Sequence, residues 1–304
     1  MRTPWILGLA VIAGLFPPAA RAAGEGGIGA ITHPAQRVQA LADYEQRFPD
    51  GEEQLATLLA MAKDKHQPDS VRGEALKTYA RMAKRMNTIA PALAAIKEQQ
   101  GALPGLANPT WDAFALLGPA SLPALLEGMP LCSSKYAADA GMDDHVFRAT
   151  TVRMVVAMDP AAAQGASMEL AKGLRCRHRL ARRAYAQALS TLPSLPAKTL
   201  LRIRRFMLSD ARPETRSLAA AILAERQDTS PASLKALGRA LLDRAPLVRL
   251  SAAKALWSLG KKDKATPVLE KICRGRDPQL AQRALQILAT ADEAPDDTDA
   301  PLAE

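Results

Sequence analysis

The chain has 304 residues, 48% of them hydrophobic, which is enough to build a sizeable core. Aromatics make up only 4% and the apolar mass is mostly Ala and Leu. That suits closely packed helices and sets aside a strand-rich fold, which would draw on Val, Ile, Thr and aromatics. The formal net charge of +9 directs attention to anionic partners, and the three cysteines show no CxxC spacing.

Taken in chain order, the first segment is MRTPWILGLAVIAGLFPPAARAAGEGG. A basic start at Arg2, an apolar run from Trp5 to Phe16, the breakers Pro17 and Pro18, and the small-residue site Ala20-Arg21-Ala22 have the layout of a secretory signal peptide. We expect residues 1–22 to be removed, residues 23–32 to form a flexible N-terminus, and the protein to be exported to a bacterial periplasm or secreted. The apolar run is shorter than the roughly 20 residues of a spanning helix, and no later segment reaches that length. No transmembrane segment is therefore expected after cleavage. Without Arg2 and Arg21, 38 bases face 31 acids, a net +7.

From residue 33 to 290 the sequence repeats. PLVRLSAAKALWSLG from Pro246 and DPQLAQRALQILATA from Asp277 carry small or apolar residues at matching places, and RPETRSLAAAILAER supplies Thr215, Ala219, Ile222 and Leu223 in the same register. Taking Arg249 as anchor, the equivalent positions are Arg37, Arg72, Ala107, Arg148, Arg182, Arg216, Arg249 and Ala281, at intervals of 35, 35, 41, 34, 34, 33 and 32. Around each anchor, the residues one before and three, six, seven and ten after are mostly apolar, the face of an amphipathic helix. Asp43 and Arg47 break that pattern in the first unit, as expected of a terminal cap. Second segments lie between the anchor helices: GPASLPALLEGM, DPAAAQGASMELAKGL, LPAKTLLRIRRFML, TSPASLKALGRALL and KATPVLEKIC. Most open near a Pro, which costs no hydrogen bond in the first turn of a helix. The unit is helix, turn, helix. The one long interval comes from PLCSSKYAADAGMDDH, residues 130–145, an insertion that should emerge at one edge of the stack. Residues 291–304 hold six acids and no base, and read as a disordered acidic tail on a body of net charge +13.

A period in the mid-thirties, an anchor Arg preceded by Pro and often Asp (DRAPLVR, SDARPETR, QPDSVR), and the following A-x-x-A-x-x-A-L pattern resemble the HEAT-repeat family. The resemblance implies an all-α, right-handed α-α superhelix of about eight helix-turn-helix repeats, with the second helices lining a concave face. It specifies a fold and leaves the function open. Some proteins of this resemblance are bilin lyases, and no residue here matches a catalytic motif of theirs.

The anchors Arg72, Arg148, Arg182, Arg216 and Arg249 read as structural, with acids such as Asp210 or Asp243 placed to bridge neighbouring repeats. Between Lys172 and Arg205 stand ten Lys or Arg and no Asp or Glu. Arg175, Arg177, Arg179, Arg183, Arg202 and Arg205 are its candidate binding residues for an anion or a partner. With few interleaved aromatics and an exported chain, nucleic acid is not the expected ligand. Cys132 and Cys176 follow second helices of successive repeats and are a candidate disulfide in an oxidising compartment, while Cys273 reads as a buried thiol. His145 and His178 map near the same edge, without a familiar metal-ligand spacing, so no metal and no other cofactor is expected. No nucleophile, metallohydrolase or phosphate-loop motif is present, so no enzymatic activity is expected. The expected function is a non-catalytic scaffold that holds a protein partner on its concave face and the 130–145 insertion. The alternative is binding of an anionic surface polymer, lipid phosphate or acidic ligand through the band 172–205.

Overall fold

The computed structural model describes residues 31–44, 51–102, 107–127 and 142–290. The signal segment, most of the 130–145 insertion and the acidic tail lie outside the described residues. Among those described there are helices and no strands, as the composition requires. The chain divides into two compact units, residues 1–124 and 125–304.

The first unit contains α1 (Pro34–Ala42), α2 (Glu52–Lys63), α3 (Asp69–Arg85), α4 (Ile89–Ala102) and α5 (Ala107–Leu117). A 3-10 turn, Gly118–Ser121, leads into the short α6 (Leu122–Leu126), within which the unit ends. Helix α3 is its centre and packs against α1, α2, α4 and α5. Leu58, Leu76, Met82 and Phe114 are fully enclosed there. Thr78 donates to the Leu41 carbonyl at 3.2 Å, tying α3 to α1.

The second unit runs through α7 (Met142–Met158), a 3-10 turn at Ala162–Ala166, α8 (Ser167–Gly173), α9 (Arg179–Thr191), α10 (Ala197–Ser209), α11 (Pro213–Glu225), α12 (Pro231–Ala240), α13 (Pro246–Ser258), α14 (Lys262–Cys273) and α15 (Pro278–Ala289). First helices α7, α9, α11, α13 and α15 stack in that order. Second helices α8, α10 and α12 form a parallel layer, each also packing on the first helix that follows it. Alanines make this stacking close: Ala181, Ala188, Ala219, Ala220, Ala252 and Ala255 are all buried between helices. Leu189, Leu223 and Leu256, fully buried at equivalent places, contribute roughly 1.5–3 kcal/mol each.

Local chemistry fixes the ends. Pro213, Pro231, Pro246 and Pro278 each open a helix, where a missing N–H leaves nothing unpaired. Before them, Asp210, Asp228, Asp243 and Asp277 each accept the backbone N–H two residues on, turning the chain into the helix. At the far ends of α3, α11 and α13, Asn87, Gln227 and Gly260 take a left-handed backbone, with φ of 57°, 50° and 74°. In each case the next residue's N–H reaches the carbonyl five residues back, as Lys261 does to Leu256. One helix start differs from the sequence expectation. Helix α14 begins five residues before Pro267, which sits inside it, because Lys262 to Thr266 already have helical partners.

Candidate functional site

The anchor arginines share one geometry. In Arg182, Arg216 and Arg249, Nη1 donates to the carbonyls six and five residues upstream: Cys176 and Arg177, Asp210 and Ala211, Asp243 and Arg244. Each guanidinium thus closes the loop that delivers its own helix. Arg148 reaches further back, from Nε to the Leu125 carbonyl at 2.7 Å and from Nη2 to that of Glu127. In the first unit Arg72 donates to the Ala62 carbonyl and pairs with Asp69 at 3.0 Å, and Arg37 binds the Ile31 carbonyl and Gln67.

Arg216 also makes a two-pronged contact with the next loop, its Nε and Nη2 each 2.8 Å from the Asp243 carboxylate. Both side chains are largely buried, at 4% and 12% exposure. Burial pushes the Asp243 carboxyl up, but the Arg216 and Ala245 donors outweigh it and hold Asp243 below the ordinary carboxylate range. The corresponding acid for Arg182 is Asp210, but Asp210 faces Arg175 at 3.5 Å instead. Arg182 Nε is buried with no hydrogen-bond partner, and burial lowers the Arg182 pKa from its ordinary value.

The acid-free window of the sequence is not acid-free in space. Lys172 pairs with Glu169, Arg175 with Asp210, and Arg204 with Asp228 and the Ser233 hydroxyl, all supplied from outside the window. Arg177, Arg179, Arg183, Arg202 and Arg205 make no ion pair with any described residue. They do not form one cluster. Arg179 and Arg183 lie on the solvent face of α9, a first helix. Arg202 and Arg205 are on α10, a second helix, where Arg202 lies 5.9 Å from the centre of the Phe206 ring.

What the structure does assemble is an edge of the second unit, where each second helix ends and the next first helix begins. The loops 174–178, 210–212 and 241–245 are joined there: Arg212 donates to the Arg175 carbonyl at 3.2 Å, Thr215 to that of Leu174 at 3.1 Å, and Arg216 to Asp243. Each loop presents arginine four or five residues before its anchor position: Arg177, Arg212, Arg244 and, in the last loop, Arg276. Arg239 and Lys271 in the final turns of α12 and α14 add to them, with Arg205 just before the last turn of α10. In two of these loops the carboxylates are turned inward, with Asp210 only 5% and Asp243 12% exposed, whereas at the last loop Asp277 and Glu270, the latter 3.8 Å from Arg274, are exposed. Arg175 and Arg274, by contrast, are 64% and 77% exposed. Interleaved among the cations are two exposed leucines, Leu208 at 41% in the last turn of α10 and Leu242 at 85% just past the end of α12.

Sequence reasoning missed Arg212, Arg244, Arg274 and Arg276, together with both leucines, because it sought a contiguous window. The legible signal was the recurrence of arginine just upstream of each anchor. At the opposite edge Arg226 is withdrawn from solvent, donating to the carbonyls of Ser190, Leu192 and Pro193.

Cys176 is buried in the loop before α9. Its candidate partner Cys132 lies outside the described residues. Cys273 is a free thiol but only half-buried, against the expectation of full burial, because α14 ends there and only the α15 side covers it: its Sγ is 3.9 Å from the Ala281 carbonyl. The rings of His145 and His178 stack with centroids 5.2 Å apart. Among the described residues no group of three or more His, Cys, Asp or Glu could hold a metal ion, and no helix is long and apolar enough to cross a membrane.

These features define a class, a stack of paired helices in which an arginine of most first helices closes the loop before it. Residues 203–289 match the family of HEAT repeats, and this part of the chain consists of HEAT repeats. No curated protein matches the chain. Among solved structures, an engineered protein is similar at 17% identity, covering 91% of this chain and 74% of that one, with a TM-score of 0.45. Human deoxyhypusine hydroxylase in complex with glycerol is similar at 18% identity, covering 91% of this chain and all of that one, with a TM-score of 0.34. At those scores neither likeness assigns an activity or a ligand to this chain.

Proposed function

We propose that this protein is a non-catalytic, exported scaffold whose second unit holds an acidic, leucine-accommodating protein segment along the basic edge. The observation that carries this reading is the placement of the exposed Leu208 and Leu242 among outward-facing arginines at the ends of two successive second helices. Apolar side chains ringed by cations give a protein partner both buried contact and charge complementarity. The sequence alone places the contact on the concave face and the 130–145 insertion; the edge is a narrower proposal, and most of the insertion lies outside the described residues. Export rests on the signal-like start, and the proposed Cys132–Cys176 disulfide rests on that compartment.

The test is crosslinking and recovery from the envelope fraction at low and high salt, with the wild-type chain beside one carrying Leu242→Ser and Arg244→Glu. A protein recovered by the wild type at low salt and lost in the variant supports the proposal. Equal recovery by both chains sinks it. Recovery of polysaccharide or lipid in place of protein supports the second reading, an anionic-polymer binder, which the exposed Arg175 guanidinium above the inward Asp210 carboxylate favours. A mature mass beginning at Ala23 tests export, and a mass shift on reduction tests the disulfide.

A further inference from the structure

The last first helix, α15, has no described second helix after it. Its neighbours are α13 and α14, and Leu285 on it is 57% exposed, with Ile287 and Leu288 half-covered. Immediately beyond Thr290 come residues 291–304, ADEAPDDTDAPLAE, with six acids, no base, and Ala, Pro and Leu between them. The nearest cations on the basic edge are Lys271, Arg274, Arg276 and Arg244.

We propose that residues 291–304 fold back along the open side of α15 and occupy the basic edge as an intramolecular ligand, in competition with the acidic partner. This rests on the edge being the binding surface proposed above. Chain length permits it. Helix α15 starts at the edge and runs away from it for 12 residues, about 18 Å at 1.5 Å per residue. Returning that distance in extended chain takes about six residues at roughly 3.3 Å each. The segment from Asp296 onward then arrives at loop 274–277. The remaining eight residues span about 26 Å, enough to cross two helix spacings of about 10 Å and bring the segment's end near Arg212.

Charge complementarity chooses this occupant. The segment's six acids and its one leucine, Leu302, match an edge that carries Lys271, Arg276 and Arg244 beside the exposed Leu242, with Arg274 already 3.8 Å from Glu270. A tethered segment of this length sits at a millimolar effective concentration, so even weak contacts keep the edge occupied.

The experiment compares two full-length chains. One is wild type, and the other carries Asp292→Asn, Glu293→Gln, Asp296→Asn, Asp297→Asn, Asp299→Asn and Glu304→Gln. Binding of fluorescent poly-L-glutamate is followed by anisotropy. The neutralised chain should bind about tenfold more tightly at low salt, and the difference should vanish at high salt as charges are screened. Equal affinity overturns the proposal. Carbodiimide coupling followed by mass mapping gives a second measure, with a link from the 291–304 acids to Lys271 inside the monomer expected. A link found only between two copies, or none, overturns it as well. If neither chain binds poly-L-glutamate, the edge fails as an anionic docking surface, and the Lys271 link alone then decides whether the segment folds back.

Discussion

Replacing each anchor arginine in turn by methionine separates the contributions that one residue type makes in three settings. Arg216 has the most to lose: two carbonyl contacts, at 2.8 and 3.4 Å, and two 2.8 Å contacts with a carboxylate that is itself 88% withdrawn from solvent, since Asp243 is 12% exposed. Breaking a buried pair by removing one partner costs about 3–5 kcal/mol, because the other charge stays behind in a poorly solvated place. Arg249 loses two carbonyl contacts at 2.8 and 3.1 Å and no described ion pair, so about 1–3 kcal/mol is expected. Arg182 also loses two carbonyl contacts, both 2.9 Å, but methionine relieves a buried Nε that has no partner. The two effects offset, and the net cost should be about 1 kcal/mol or less. Urea unfolding of each full-length variant, followed by helical circular dichroism, should rank them Arg216→Met, then Arg249→Met, then Arg182→Met. Equal midpoint shifts for all three would refute the claim that the Asp243 contact, and not the loop clasp, sets the order. So would an Arg216→Met cost below about 1 kcal/mol, the range of exposed pairs.

Three further outcomes follow from the same structure. Gly173→Ala places a Cβ 2.4 Å from the Tyr185 ring, which is 2% exposed, so α8 and α9 must separate; a loss of about 1–3 kcal/mol is expected in urea unfolding, while the pseudo-control Gly238→Ala, with open space at its Cβ, should be neutral or stabilising. Asp277→Ala removes the side chain that accepts the Gln279 and Leu280 N–H groups at the start of α15, and should cost about 1 kcal/mol and speed amide exchange in that helix. Acid should destabilise the wild type in steps below about pH 4. Asp243, Asp228 and Glu74 all have folded pKa values below their ordinary ones, because hydrogen bonds and cations outweigh the burial that raises them. Their contribution is therefore complete above the unfolded pKa and is lost as pH falls through the folded one. Stability measured against pH should flatten in this range in Asp243→Asn, and an unchanged acid slope would exclude Asp243 as a contributor.

The repeat was legible because it is written in residue types that recur at fixed offsets. Arginine at the anchor, Pro just upstream and alanines on the packing face each have one local physical role, and a period shows them without any knowledge of three-dimensional neighbours. The pairing of charges was legible only in part: acids upstream of the anchors were expected to bridge repeats, as Asp243 does with Arg216, but not to reach into the 172–205 window. Asp210 and Asp228 stand outside the 172–205 window but reach into it, because a neighbour in a stack of repeats lies about one period away in sequence. The exposed Leu208 and Leu242 were equally hidden: nothing in the period distinguishes a leucine at or just past the end of a second helix from one in the core. Arg175 to Arg183, contiguous in sequence, divide between a loop edge and the solvent face of α9, whereas Arg177, Arg212, Arg244 and Arg276, far apart in sequence, occupy equivalent places.

The repeat around Arg182 shows how one substitution propagates along such a stack. Where Asp210 and Asp243 precede their anchors by six residues, Cys176 precedes Arg182, so that loop has no carboxylate to offer and its turn is held by Arg182 through the Cys176 and Arg177 carbonyls. One step along, Asp210 could serve Arg182 as Asp243 serves Arg216. It is drawn instead to Arg175, which the same loop contributes, and caps the Arg212 N–H with its other oxygen. The result is a buried guanidinium without a carboxylate beside exposed arginines without acids of their own. Restoring the acid by Cys176→Asp does not repair this, because a carboxylate six residues before an anchor serves the previous anchor, as Asp243 serves Arg216. Arg175→Ala does: it frees the Asp210 oxygen for Arg182, so that variant should lose little stability or gain some, and adding Asp210→Asn to it should cost more than Asp210→Asn does alone. A double-mutant cycle with no coupling would show that Asp210 does not choose between the two arginines.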